Sequence, residues 1–178
     1  MHWLTNAIIE HVDMVRRILH PLLLYTNSAP PVYHNLLEIP FHPSSIDFSN
    51  LNRPHNEIDF AQLAFQPTAS FVRLYHPRFP WYIDIQQVHP NGITVLDVLR
   101  QMHDQLHQPI HGRHFWNEEF TAQDRAAITQ AFQRRCRGDR DLIQRGVVQL
   151  DFLGPRVVFE GLVRGPKGHW EIKFAKES

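Results

Sequence analysis

The C-terminal end of the chain restricts the fold more than any other part of the sequence. It carries three short apolar runs, and glycine and proline residues, which favour turns, stand between them. Short runs separated in this way are typical of an antiparallel meander, in which consecutive strands pair with each other. The three expected strands are 148–153, 157–163 and 170–174.

The two turns of this meander predict the same division of side chains between its faces. We take Leu153 to pair with Arg156 across the first turn, and Arg164 with His169 across the second. Alternation along each strand then gives one apolar face, which helices should cover, and one mixed face. The apolar face holds Val148, Leu150, Phe152, Val157, Phe159, Val163, Trp170, Ile172 and Phe174, and the mixed face holds Gln149, Asp151, Val158, Glu160, Leu162, Glu171 and Lys173.

Upstream of the meander, the sequence predicts a β-hairpin and two capped helices. The runs 71–75 and 81–87 are rich in β-formers and flank a proline-containing loop. Thr94 and Thr121 each precede an aspartate by three positions, the capping-box pattern that begins a helix. Together with the meander, these elements predict an α+β fold: an antiparallel sheet of about five strands with two or three helices on one face. The inward residues expected on the helices are Val95, Val98, Leu99, Met102 and Leu106, then Ile128, Ala131 and Phe132.

The first 70 residues divide into a helix and an irregular segment. Apolar residues at spacings of three and four predict an N-terminal helix within 1–29, which Pro21 ends. The segment 30–70, here called the proline-rich arm, contains too many prolines for long helices or strands. Its apolar residues should pack against the α+β core, 71–178, within a single domain. The helix residues are Ile8, Val12, Val15, Leu19 and Leu22, and the apolar arm residues are Val32, Leu36, Leu37, Ile39 and Phe41.

Composition limits the classes of protein to which the chain can belong. Its 178 residues are the size of one domain, and Lys plus Arg (18) equals Asp plus Glu (18), so we expect neither nucleic acid nor membrane as a partner. A single cysteine, Cys136, excludes an internal disulfide and a cysteine-based zinc cluster. The first residues lack the basic start of a secretory signal and no apolar run is long enough to cross a bilayer, so we expect a cytoplasmic protein.

Five blocks of sequence resemble a known family. The resemblance is to a fungal, largely basidiomycete family that is catalogued as domain of unknown function 6699. It implies the fold class and a fungal source, and it brings no reaction, cofactor or catalytic residue. One departure is that Val148 and Gln149 stand where the family has basic residues, just before Asp151. The blocks are 81–85, 93–99, 150–153, 159–162 and 170–172.

Asp151 and Glu160 are the candidate catalytic residues. On the expected mixed face they are diagonal neighbours, roughly 7–8 Å apart. Two carboxylates at that distance can act as general acid and base if the face is covered. The alternative is an ordinary cross-strand ion pair, because Glu160 stands opposite Lys173 in the expected register.

The 13 histidines are the one outlier in composition. His103 and His107 are four residues apart on the first capped helix, a spacing that can chelate a metal. They fall at boundary and solvent positions of the helix, and no H-E-x-x-H pattern is present, so we expect no metal site. We expect His103 to be buried and neutral, and His107 and His111 to titrate normally.

Aromatic side chains with polar groups lie at the ends of the expected hairpin. Such side chains often line small-molecule pockets, although packing explains them equally well. We expect ligand contacts from Tyr75, His76 and Tyr82, together with Asp151 and Glu160.

Two functions of different kinds fit these observations. One is a non-enzymatic domain that binds a small molecule or a protein partner through the mixed sheet face and the proline-rich arm. The other is an enzyme without a cofactor, an isomerase, cyclase or hydrolase of fungal secondary metabolism, with acid–base residues in an aromatic-lined pocket. No cofactor is expected, because the chain has no nucleophile elbow, phosphate loop or dinucleotide fingerprint. A closed apolar cavity around Asp151 and Glu160 would favour the enzyme, and an open face would favour the binding module.

Overall fold

The computed structural model describes residues 12–177 and has eight strands and five helices within that range. The strands are β1 (Ile18–Leu19), β2 (Val32–Asn35), β3 (Asp47–Phe48), β4 (Phe65–Gln66), β5 (Phe71–Tyr75), β6 (Ile83–Gln86), β7 (Val158–Arg164) and β8 (Trp170–Ala175). The helices are α1 (Glu57–Ala61), α2 (Val95–Leu106), α3 (Gly112–Phe115), α4 (Ala122–Cys136) and α5 (Arg140–Arg145). Short 3-10 helices cover Pro43–Ser45, Gln149–Leu153 and Pro166–Gly168.

Six of the strands form one sheet, in the order β3-β2-β7-β8-β5-β6. Neighbouring strands are antiparallel except β5 and β8, which are parallel. Strands β1 and β4 form a second, two-stranded sheet. The α+β class and the β5–β6 hairpin are confirmed, but the main sheet has six strands and not about five.

The first strand expected in the meander is wrong, because Gln149–Leu153 is a 3-10 helix. The Asp151 carboxylate accepts a hydrogen bond from the backbone N–H of Val148 at 2.9 Å, and the Arg135 side chain binds the same carboxylate. A local side-chain bond of this kind competes with a strand ladder and favours a turn. The leucine and phenylalanine side chains of the segment are buried nonetheless. The position next to β7 that we expected this segment to occupy is taken by β2, which comes from the proline-rich arm.

The pairing of β7 with β8 differs by one residue from the expected register near the turn. Arg164 lies opposite Trp170, because the loop before β8 contains a 3-10 turn. A β-bulge at Glu160 restores the expected pairing further along β7. As a consequence Leu162 is buried on the core face, and Lys173 does not lie opposite Glu160.

Helices α2 and α4 begin where the sequence predicts, each with a capping box. In α2, Thr94 accepts from the Asp97 N–H at 3.1 Å and the Asp97 carboxylate accepts from the Thr94 N–H at 2.9 Å. All the inward residues expected on α2 are buried, and α2 packs beside β6. In α4, Ile128 and Ala131 are buried and Phe132 is half-buried. No helix in the described part of the chain has the length and apolar character needed to span a bilayer.

The expected N-terminal helix is wrong for residues 12–29. The chain there forms β1, whose backbone pairs with β4, and then turns at Pro21. Proline has no backbone N–H to donate within a helix, so a helix through Pro21 is disfavoured. The residues before it pair with β4 as β1 instead. Val12 and Val15 are each 42% exposed, whereas Leu19 and Leu22 of the same expected stripe are each 3% exposed and lie in the core. Ile8 lies outside the described residues.

The proline-rich arm contributes β2 and β3 to the main sheet and α1 beside it. Val32 and Leu36 are buried, and Leu37 and Phe41 pack against the core. Ile39 is 42% exposed. One cluster of buried apolar residues extends through the arm, the sheet and α2.

Candidate functional site

Asp151 lies in a buried ion pair and not beside Glu160. Arg135 donates from Nε to Oδ1 and from Nη2 to Oδ2 of Asp151, both at 2.9 Å, and Nη2 also donates to the Gly146 carbonyl. Both side chains are nearly inaccessible, with 5% and 1% exposed. The Val148 N–H donates to the same carboxylate, so Asp151 accepts three hydrogen bonds inside the protein. The expected placement of Asp151 and Glu160 as neighbours on one sheet face is therefore wrong, and their catalytic role stays a prediction.

Glu160 lies in the bulge of β7, near a small cavity of about 290 Å³. Tyr33 and Asp47 of the arm line the same cavity. Burial raises the pKa of Glu160. Lys173, expected to pair with Glu160, instead binds Glu171 on its own strand.

Two of the aromatic candidates, Tyr75 and Tyr82, lie near the ring of His169, with centroids 6.5 and 5.3 Å away. The Tyr75 hydroxyl lies 3.4 Å from a carboxylate oxygen of Glu171. His76 is half-buried against aromatic rings, and burial lowers its pKa to about 4. The Tyr82 ring lies 4.8 Å from the Arg73 guanidinium. The expected ligand contacts of these residues stay a prediction.

The outer face of the main sheet carries charged side chains that are already paired. Arg73 on β5 makes a bidentate pair with Asp84 on β6, at 2.7 and 2.9 Å. On β8, Lys173 and Glu171 form a second pair. Each pair neutralises its own charges, so this face offers little net charge to a ligand.

Three histidines meet between the arm and α2. The ring centroids of His103 and His107 are 4.3 Å apart, and those of His34 and His103 are 5.5 Å apart. Phe41 packs against both His34 and His103. His103 is only 3% exposed, so its expected burial is confirmed, and His34 is fully buried. Among the described residues, no group of three or more His, Cys, Asp or Glu is arranged to hold a metal ion.

The hydrogen bonds of this histidine cluster leave several ring nitrogens without a partner. His103 Nε2 is 2.8 Å from the Glu38 carbonyl, and His107 Nδ1 is 2.8 Å from the His103 carbonyl. Among the residues that the structure describes, both ring nitrogens of His34, Nδ1 of His103 and Nε2 of His107 find no hydrogen-bond partner. Burial lowers the pKa of His34 and of His107 to about 4, and repulsion between the imidazoles adds to the effect. The expectation that His107 titrates normally is wrong.

Sequence reasoning missed His34 altogether. A signal was present, because Val32, His34 and Leu36 alternate along one side of a strand. Val32 and Leu36 are buried on either side of His34, so the alternation places the imidazole in the core.

A cavity of about 440 Å³ lies next to the histidine cluster. His103 and His107 form part of its wall, and Arg135 and Arg145 bring positive charge to it. Asp104 is the one carboxylate among the described residues that line it. The wall is therefore basic, even though Arg135 is already paired with a buried aspartate.

A larger groove of about 830 Å³ runs between the arm and the first half of α2. The groove is half open to solvent. Its wall mixes apolar and polar side chains, and two large apolar residues in it, Leu63 and Val88, are 39% and 67% exposed. Gln101 reaches from α2 to the backbone N–H and carbonyl of Gln86, and so closes the end of the edge strand β6. Other lining residues include His55, Asn56, Phe60, Asn91, Leu96 and Arg100.

A family model described as "Family of unknown function (DUF6699)" matches residues 36–168. The chain belongs to the DUF6699 family. No curated protein and no solved structure matches it. In this DUF6699 chain His103, His107 and Asp151 lie inside the matched range, and His34 lies just before it. All the residues that line the groove also lie inside it.

Proposed function

We propose that this DUF6699 chain is a binding module whose groove takes an extended segment of a partner protein. The observation that carries the proposal is the groove itself, with about 830 Å³ of half-open space and two exposed large apolar side chains in its wall. Contiguous exposed apolar surface rimmed by polar residues is typical of interaction sites.

The shape of the groove favours a chain segment over a small molecule. Its volume is within the range of small-molecule pockets, but such pockets bury about 70–90% of their ligand. A groove that is half open leaves one side of its occupant in water, which suits a peptide chain. Leu63 and Val88 would contact apolar side chains of the segment, and Asn91 and Arg100 would bind its backbone carbonyls.

The arm supports this proposal more strongly than the outer sheet face does. Residues His55 and Phe60 of the arm form one wall of the groove. On the sheet face, by contrast, Arg73 and Asp84 already bind each other, and a partner would have to separate them. We therefore assign partner binding to the arm and α2.

The proposal predicts that the groove can be blocked by one charge. Peptides selected from a random display library against the purified domain should bind with a Kd in the micromolar range, as measured by isothermal titration calorimetry. Val88→Asp should weaken that binding by about 10-fold or more, because the carboxylate would be buried against apolar side chains of the peptide. Arg100→Glu should also weaken it.

Ile143→Asp is the matched control, because Ile143 is 47% exposed on α5 and does not line the groove. This variant should bind the selected peptides as the unmodified domain does. The proposal would be contradicted if Val88→Asp and Arg100→Glu both left peptide binding unchanged, or if the selection yielded no peptide. A small molecule that co-purifies with the domain and is released by Val88→Asp, detected by native mass spectrometry, would also contradict it.

A further inference from the structure

The histidine cluster joins the proline-rich arm to α2. His34 belongs to β2 in the arm, and His103 and His107 belong to α2. The ring of Phe41, also in the arm, packs against two of the imidazoles. The Glu38 carbonyl accepts the hydrogen bond from His103 Nε2. Residues 34–41 of the arm thus contact α2 through imidazole rings, the Phe41 ring and this hydrogen bond.

The charged groups around the cluster do little to stabilise a protonated imidazole. On α2, Asp104 lies 3.6 Å from His103 Nδ1, but its side chain is 62% exposed. Arg100, also on α2, lies over the Phe41 ring. From the other elements, Arg135 of α4 and Arg145 of α5 line the adjoining cavity. Water screens the negative charge of Asp104, the one nearby carboxylate. Arg135 and Arg145 repel the positive charge of a protonated imidazole.

We propose that His34, His103 and His107 form a proton-operated latch, in which the three rings hold residues 34–41 of the arm against α2 and protonation of His34 or His107 releases this segment. The proton comes from solvent and binds an unpartnered ring nitrogen of His34 or His107. A charged imidazole cannot remain in this apolar, partly basic site, so the arm opens and the ring becomes hydrated. This proposal does not depend on what the groove binds.

The direction of the pH effect follows from the two states. In the opened segment a histidine has an ordinary pKa near 6.5, whereas in the closed state the pKa of His34 and of His107 is about 4. Opening therefore takes up protons at pH values between these two pKa values, about 6.5 and about 4. The closed state loses stability as the pH falls through this range. From pH 7 to pH 5 the opening equilibrium constant should rise about 20-fold for each such histidine.

Hydrogen exchange at single backbone amides tests the latch. The opening constants of the amides in residues 34–38, corrected for the pH dependence of intrinsic exchange, should rise about 20-fold or more between pH 7 and pH 5. His34→Phe, which keeps an aromatic ring, should remove about 20-fold of this rise. His42→Gln is the matched control, because His42 is an exposed residue of the same arm, and it should leave the rise unchanged.

A second measurement keeps the test independent of any variant that does not fold. The imidazole NMR signals of His34 and His107 in the unmodified protein should titrate with midpoints below pH 5. Midpoints near 6.5, or arm amides equally protected at pH 7 and pH 5, would overturn the proposal. Zinc that raises the melting temperature at pH 7 in the unmodified protein, and does not in His107→Gln, would also overturn it, because the cluster would then be a metal site.

Discussion

Two buried polar clusters lie side by side in this molecule, and they differ in how their polar atoms are satisfied. In the first, Arg135 and Asp151 make two hydrogen bonds to each other, and backbone groups occupy the remaining positions. In the second, His34 has no partner for either ring nitrogen, and His103 and His107 each leave one nitrogen unpaired. Arg135, Asp151, His34 and His103 are all buried, whereas His107 is partly exposed, so burial alone does not separate the two clusters.

The difference decides how each cluster responds to a proton. The Arg135 guanidinium stays charged at any ordinary pH, and it makes two hydrogen bonds to the Asp151 carboxylate. Burial lowers the pKa of His34 and of His107 to about 4, so a proton that binds either ring as the pH falls below 6.5 destabilises the closed contact. The first cluster therefore fixes the position of the 3-10 helix, while the second makes the contact between arm and helix sensitive to pH.

The largest effect should come from breaking the paired cluster. Asp151→Leu should lower the free energy of unfolding by about 3–5 kcal/mol, because Arg135 would remain buried without a counter-charge. Adding Arg135→Met should recover much of this loss, since two apolar side chains would then fill the site. Urea denaturation measures both changes.

Arg134→Met is the control for that comparison, because Arg134 is an exposed neighbour on the same helix. Its effect should stay within about 0.5 kcal/mol. A loss smaller than about 1 kcal/mol in Asp151→Leu would mean that the buried pair does not fix this region.

A smaller effect is expected from His76, a half-buried histidine outside the histidine cluster. Burial, followed by repulsion from Arg78, lowers the pKa of His76 to about 4, so protonation of His76 also destabilises the fold between pH 6.5 and 4. His76→Phe should reduce the fall in unfolding free energy between pH 7 and 5 by about 1 kcal/mol, a value discounted because the ring is half-buried. Denaturation curves at the two pH values measure this. In His76→Phe, the backbone amides of residues 34–38 should exchange as they do in the unmodified protein. A change in their exchange would show that the pH response of the arm is not confined to the histidine cluster.

The smallest effect should come from an ion pair outside the core. Lys173 and Glu171 have the same chemistry as the buried pair but are 33% and 25% exposed on the sheet face. Lys173→Met should change the free energy of unfolding by about 0.5 kcal/mol or less, because water screens such a pair. Thermal denaturation at low and high salt checks this, and a loss comparable with that of Asp151→Leu would remove the distinction between buried and exposed pairs.

The parts of the fold that the sequence predicts are those set by neighbouring residues. The capping boxes at Thr94 and Thr121 need only an aspartate three positions away, and both form as expected. The hairpin of β5 and β6 is likewise a local pairing. Alternating or helical periodicity was sufficient in these cases, because each element supplies its own partners.

The parts that the sequence did not predict depend on distant partners. The segment around Asp151 has the alternation of a strand, but its conformation is set by Arg135, 16 residues earlier. Cys136 stands among arginines in the sequence, but its thiol is 2% exposed, and burial raises its pKa. The same holds for the histidine cluster, because His34 meets His103 only after β2 pairs with β7.

The position of β2 in the main sheet has a consequence for synthesis of the protein. β2 ends at Asn35, and its partner β7 begins at Val158, more than 120 residues later. At a translation rate of about 5–20 residues per second, the ribosome needs on the order of ten seconds to make the partner strand. During that time Val32 and Leu36 have no sheet to enter, and the nascent chain carries an unpaired, apolar strand edge. The growing chain is therefore a natural client for chaperones until its last quarter has emerged.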